Sequence, residues 1–231
     1  LLKRLRFNAV QIEPVRVVVP PSVPLWDAGA GFPPMVLTDL VETEEKRGKE
    51  LVEGIAQNLG AESTPPVVLH GMPTDKLLAH ADEIGADLIA VDGHEDNPLL
   101  AFFIGSVARG LVLGARQSVL LAKPNDIPAD QPVRAVLATD HSDYANACWE
   151  HLMRFWPRGI SHITILTSYP EDRLKAMEPM LPPMAVSATQ AMHDQLSARN
   201  TALATRLAEC FHPACTTITS VISTLPVHEA I

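Results

Sequence analysis

The stretch Ala86-Asp87-Leu88-Ile89-Ala90-Val91-Asp92-Gly93 decides the fold. Asp87 to Val91 reads as a strand, apolar without interruption from Leu88 on. A short run of that kind marks a parallel strand covered on both faces, whereas a strand wet on one face alternates. Upstream, Pro73-Thr74-Asp75 opens a helix whose apolar residues Leu77, Leu78, Ala81 and Ile84 recur at helical spacing, and Gly85 stops it. Downstream, Gly105-Ser106 begins another helix that runs to Leu113. Ser118 to Ala122 is a second apolar strand, closed by Lys123-Pro124.

Further out, Val67-Val68-Leu69 reads as a strand, and a long helix is expected from Asp39 to Leu59, with Thr38 as its N-cap and Gly60 as its stop. Its apolar positions are Leu40, Val41, Leu51, Val52, Ile55, Ala56 and Leu59. Val15 to Val19 is a β-branched strand, and residues 1–7 read as the tail of a helix. Between them and the long helix lies a loop stiffened by Pro20, Pro21, Pro24, Pro33 and Pro34.

The order then restarts. Pro124, Pro128 and Pro132 punctuate a linker at 125–132. Val133 to Ala138 is a strand, Asp143 to Phe155 a helix with Ala147, Leu152 and Phe155 facing inward, and His162 to Leu166 a strand. A Pro- and Met-rich loop follows at 170–186, in which Met177, Met180 and Met184 are gap-fillers or the cover of an apolar groove. Ser187 to Phe211 is a long helix, Thr216 to Ile222 a strand, and another helix starts at 226–231. Strands alternating with helices predict a doubly wound parallel sheet, and the repeated order predicts two copies of it, 1–124 and 133–231.

Composition agrees and narrows the function. Apolar residues make up 47% of the 231, aromatics 5% and charged residues 19%, which suits a core of Leu, Val, Ile and Ala. The net charge of −9 opposes nucleic-acid binding, and the densest basic cluster, Lys3-Arg4-Leu5-Arg6, is short. No apolar run approaches the roughly 20 residues that span a bilayer. No apolar stretch follows the basic start, as a signal peptide would require. Cys148, Cys210 and Cys215 are odd in number and read as reduced, so a cytoplasmic location is expected. Cys210, His212 and Cys215 supply too few local ligands for zinc and read as a helix end. Ser106 and Ser142 lack the G-x-S-x-G setting of a hydrolase nucleophile.

Residues 86–93, Gly105-Ser106-Val107-Ala108 and Ser118-Val119-Leu120-Leu121-Ala122-Lys123-Pro124 together resemble the universal stress protein family. The restart Ala135-Val136-Leu137-Ala138-Thr139-Asp140-His141-Ser142 looks like that family's first strand, which usually closes Asp-Gly-Ser. Here His141 stands at the glycine. The resemblance implies an adenine-nucleotide alpha-hydrolase-like fold in tandem. The first copy would lack its opening strand, and the second would stop after its third.

The resemblance also implies a ligand site. ATP-binding members carry Gly, two residues, Gly, nine residues, then Gly with Ser or Thr. Gly93 matches the first glycine and Gly105-Ser106 the last pair, but Asp96 stands at the middle glycine and the spacing is one residue short. Glu95 and Asp96 add negative charge there. The ligand candidates are therefore Gly93, His94, Gly105, Ser106 and Val107, with Asp140 facing adenine and ribose in the second copy. ATP or another adenine nucleotide, with Mg²⁺, is the implied cofactor. A glycine turn and a helix N-terminus suit phosphate, because backbone N–H groups and the positive end of the dipole face it. A bland reading stands beside each candidate: Gly105-Ser106 as a capped helix start, Asp140 as a turn residue.

Three functions follow as alternatives. One is a small-ligand-binding stress or signalling protein. Another is an interaction module without nucleotide. The third is a nucleotide-hydrolysing enzyme using His94, Glu95 or Asp96. A homodimer or an intramolecular pseudo-dimer, paired through Ser118 to Ala122, is the expected partnership, with neither nucleic acid nor membrane.

Overall fold

The computed structural model describes residues 2–7, 10–19, 34–92, 105–123, 128, 130–155, 157–169, 185–211 and 216–231. The Pro-rich segments with Met177, Met180 and Met184, the loop at 93–104, and His212 with Cys215 lie outside the described residues. Contacts divide the chain into two units. One is Val10–Asp126, and the other is Ile127–Ile231 together with Leu1–Ala9.

In the first unit, β1 (Val15–Val18) pairs in parallel with β2 (Val67–His70), joined by α2 (Pro34–Leu59) and a 3-10 turn. After α3 (Pro73–Glu83), β3 (Leu88–Asp92) pairs in parallel with β4 (Ser118–Ala122) across α4 (Ser106–Gly114). The register Leu88↔Ser118 to Asp92↔Ala122 is unbroken. Gly60 and Gly85 take φ of 68° and 63°, so both predicted stops end in the left-handed region that glycine enters without a Cβ penalty.

Three expectations are corrected in this unit. The long helix starts at Pro34, not after Thr38, because proline's fixed φ suits the first turn and Thr38 is carried within the helix. Its inward stripe is also narrower than read. Val52 and Gly48 are buried, but Leu51 and Ile55 are 51% and 43% exposed. Gly48 lets the helix approach β1 and β2, since a Cβ there would lie 3.3 Å from Val18. Leu88, Ile89 and Val91 are half-buried among the described residues, so β3 is less enclosed than its apolar run predicts.

The second unit holds three parallel strands in the order β5 (Val133–Ala138), β6 (Ile160–Ser168), β7 (Thr217–Ser223). Helix α5 (Asp143–Phe155) links β5 to β6, and α6 (Ala185–Cys210) lies against β6 and β7. The short α7 (Val227–Ala230) ends the chain. Trp149, Ile160, Ile163, Ile165, Leu203, Leu207 and Phe211 form one buried cluster, with Leu5, Met153, Cys210 and Ile218 packed against it.

The inner face of α5 differs from expectation. Trp149 is buried, while Ala147 is exposed and Leu152 is 38% exposed. The helix turns its bulkiest side chain inward, and Met153, one turn on, follows it. Residues of the short α1 (Leu2–Leu5) and those after it join this unit, although the sequence reading put 1–124 together. Gly159 donates its N–H to the Leu5 carbonyl at 2.8 Å, Arg158 to Arg6 at 3.2 Å, and Phe7 meets Phe155 edge-on at 6.1 Å.

Candidate functional site

Helix α4 carries the first group of candidates. Ala108 and Leu111 are buried and fix its inner face. It also lies close to α3, because a Cβ on Gly110 would come within 2.7 Å of Thr74. Gly105 is the N-cap, with φ −53° and ψ 152° and no side-chain cap. The Gly105 carbonyl accepts the Arg109 N–H at 2.9 Å, which begins the helix. The N–H groups of Ser106, Val107 and Ala108 precede that bond and have no partner within the helix. Ser106 is exposed at the first helical position and does not cap.

This end fits a phosphate. The dipole is positive there, and among the described residues a Cβ built on Gly105 meets nothing within 4 Å. Gly93 and His94, the other half of the expected loop, lie outside the described residues, as do Glu95 and Asp96. Among the described residues no group of three or more His, Cys, Asp or Glu could hold a metal ion.

Asp140 lies in the second unit, in the turn between β5 and α5. Its carboxylate accepts the Ser142 N–H at 2.9 Å, and Ser142 Oγ in turn accepts the Ala145 N–H at 3.1 Å to cap α5. The Ser142 hydroxyl and N–H hold the Asp140 carboxyl below the usual carboxylate range. Asp140 is exposed, so its carboxylate shapes the turn and also faces solvent.

The residue beside it is the one that sequence reasoning missed. His141 has φ 58°, a left-handed conformation that costs a non-glycine residue about 1–2 kcal/mol. Three contacts hold it. Its N–H donates to Thr139 Oγ1 at 3.0 Å. Its Nε2 lies 2.9 Å from Asn200 Oδ1 and 3.2 Å from Thr167 Oγ1. Thr167 also donates to Asn200 Oδ1 at 2.9 Å. Asn200 and Thr167 are 1% and 2% exposed, and Asn200 Nδ2 has no partner among the described residues. One signal for this was legible: Asn200 sits three and seven residues before Leu203 and Leu207, as a polar group on an apolar stripe.

Replacing Asn200 with Ala is expected to destabilise the second unit by about 1–3 kcal/mol, since His141 and Thr167 lose their shared acceptor inside the protein. Urea unfolding followed by circular dichroism checks this. A change below roughly 0.5 kcal/mol, the size of an ordinary surface substitution, would mean that the amide carries no net weight.

Comparison with known proteins follows the same lines. The model of the universal stress protein family matches residues 4–123, just over half of the chain. No curated protein matches it in sequence. Among solved structures, a universal stress protein from Archaeoglobus fulgidus superposes with a TM-score of 0.56 at 15% identity, over 99% of this chain and 76% of that one. A protein described as a putative universal stress protein from Pseudomonas aeruginosa gives a TM-score of 0.48 at 12% identity, over 94% and 75%. No helix among the described residues is long and apolar enough to cross a membrane. Parallel strand pairs with crossover helices, a glycine-led helix after β3, and a family match over the unit that contains them lead to one conclusion: the chain belongs to the universal stress protein family.

Proposed function

We propose that this protein binds a small ligand in a stress-response or signalling role, and that its first unit takes an adenine nucleotide beside the N-terminus of α4. The observation that carries the reading is that terminus. The N–H groups of Ser106, Val107 and Ala108 have no side-chain cap, and the space over Gly105 is open. Residues that follow parallel strands at their carboxyl ends are where doubly wound sheets hold ligands. Asp140, exposed at the end of β5, is the candidate for a ribose or adenine contact in the second unit. In this reading the two units are tandem copies, joined through β4 in a homodimer or pseudo-dimer.

Titration calorimetry of ATP, ADP and AMP with Mg²⁺ tests the proposal. The wild type is expected to bind in the micromolar range, and Gly105→Val to bind about tenfold more weakly or worse, as its branched side chain covers the N–H groups. That variant is expected to keep its fold, because φ at 105 suits any residue and the added Cβ meets none of the described residues. Equal affinity in the variant would remove the site from α4. No binding by the folded wild type would favour the interaction module, for which Asp96 at the middle glycine position already argues. ATP turnover that depends on His94 or Asp96 would instead favour an enzyme.

A further inference from the structure

The second unit carries a cavity of about 310 Å³ between the β5–α5 turn, α5 and α6, lined by His141, Asn146, Arg199, Ala202, Leu203 and Arg206. Its size is at the small end of ligand pockets. No Asp or Glu lines it. In a chain of net charge −9, two guanidiniums and an imidazole meet here.

The polar lining groups offer donors. Asn146 Oδ1 accepts the Trp149 indole N–H at 3.3 Å, which turns its amide nitrogen away from that bond. Arg206 stacks 4.4 Å from the Trp149 ring and pairs with Glu150 at 2.8 Å, so its guanidinium is held in place. Arg199 has no hydrogen-bond or ion-pair partner among the described residues. Behind the cavity, His141 is kept in a strained backbone conformation by Asn200, whose own buried Nδ2 has no partner among the described residues. Two costly features converge on one imidazole. Strain of that kind gathers where a side chain must point at something.

We propose that this cavity binds a small phosphate-bearing anion, held by Arg199, Arg206 and Asn146, with His141 in its wall. Donors reach it from two helices, while the Nε2 of His141 is already engaged by Asn200 and Thr167. Donors from several directions match the tetrahedral oxygens of a phosphate better than the two coplanar oxygens of a carboxylate. Ala202 and Leu203 supply an apolar wall for the remainder of a small molecule. Asn200 and Thr167 position the imidazole and do not touch the ligand. The site uses none of the nucleotide candidates Gly93, Gly105, Ser106 or Asp140, although Asp140 adjoins His141 in the chain.

Inorganic phosphate titrated into the full chain, with chloride balancing ionic strength, tests this by amide chemical shifts. Saturable shifts are expected at His141, Asn146 and residues 199–206. Arg199→Gln is expected to weaken binding about tenfold, the usual effect of losing one charge-assisted hydrogen bond. Arg199 is exposed, so that change leaves the fold intact. His141→Gly, which relieves the strained φ, is expected to weaken binding as well. Shifts at 105–108 report the α4 terminus separately, so failure at one site is not mistaken for failure at the other. Absence of saturable shifts at 141–206, or unchanged affinity in Arg199→Gln, overturns the site. Acetate binding as tightly as phosphate overturns the phosphate assignment.

Discussion

Trp149→Ala is expected to cost about 3–5 kcal/mol, the range for removing a large aromatic side chain from a packed core. Trp149 is 4% exposed and lies in the same buried cluster as Ile163, Ile165 and Leu207. It also does two things that no aliphatic residue would. Its ring supports the Arg206 guanidinium at 4.4 Å, and its indole N–H fixes Asn146. Domain stability is only about 5–15 kcal/mol in total, so the second unit would lose much of its margin. Urea unfolding should show a midpoint lower by roughly 2 M. The control is Tyr144→Ala, on the same helix but 81% exposed, which is expected to stay within about 0.5 kcal/mol of wild type. Equal midpoints for the two variants would remove Trp149 from the core. The phosphate affinity of the proposed cavity should fall in Trp149→Ala too, since Arg206 and Asn146 lose the group that orients them.

Leu207→Ala is expected to cost about 2–5 kcal/mol. Leu207 is 0% exposed on α6, in the stripe Asn200, Leu203, Leu207, Phe211. Alanine is the best helix former, so the helix itself is not weakened and the loss measures the hole left behind. Trp149 and Leu207 share one cluster, so Trp149→Ala combined with Leu207→Ala should cost less than the sum of the two. Strict additivity within about 0.5 kcal/mol would mean that the two side chains relax independently.

Strands were the most legible part of the sequence. Val133–Ala138 and Ser118–Ala122 have the bounds read from their apolar runs, and β3 differs by one residue at each end. Helix limits were nearly as clear where glycine stops them. Helix faces were harder. On α5 the periodicity admits more than one apolar stripe, and the volume of Trp149 decides between them once β6 is in place. At Pro34 a residue read as loop punctuation opens a helix, because proline breaks a helix only within its interior.

Of the candidate site, the sequence placed Gly105 at the start of a helix, where the structure has it, and Asp140 at the end of a strand, whereas the structure has it in the turn two residues past β5. His141 standing at the family's usual glycine and Asn200 on an apolar stripe were its only hints of their roles, and it did not join the two, 59 residues apart. Nor did it join Arg206 to Trp149 or Leu5 to Gly159.

What the sequence determined by itself is the order of parallel strands and crossover helices. That order follows from local periodicity and from glycine and proline, whose effects act within a few residues. Which polar groups meet was decided only by the tertiary structure. A hydrogen bond between distant residues depends on strand register and on the rotation of a helix about its axis. A turn of one residue position, about 100°, moves Asn200 off His141 while leaving the composition of the helix unchanged.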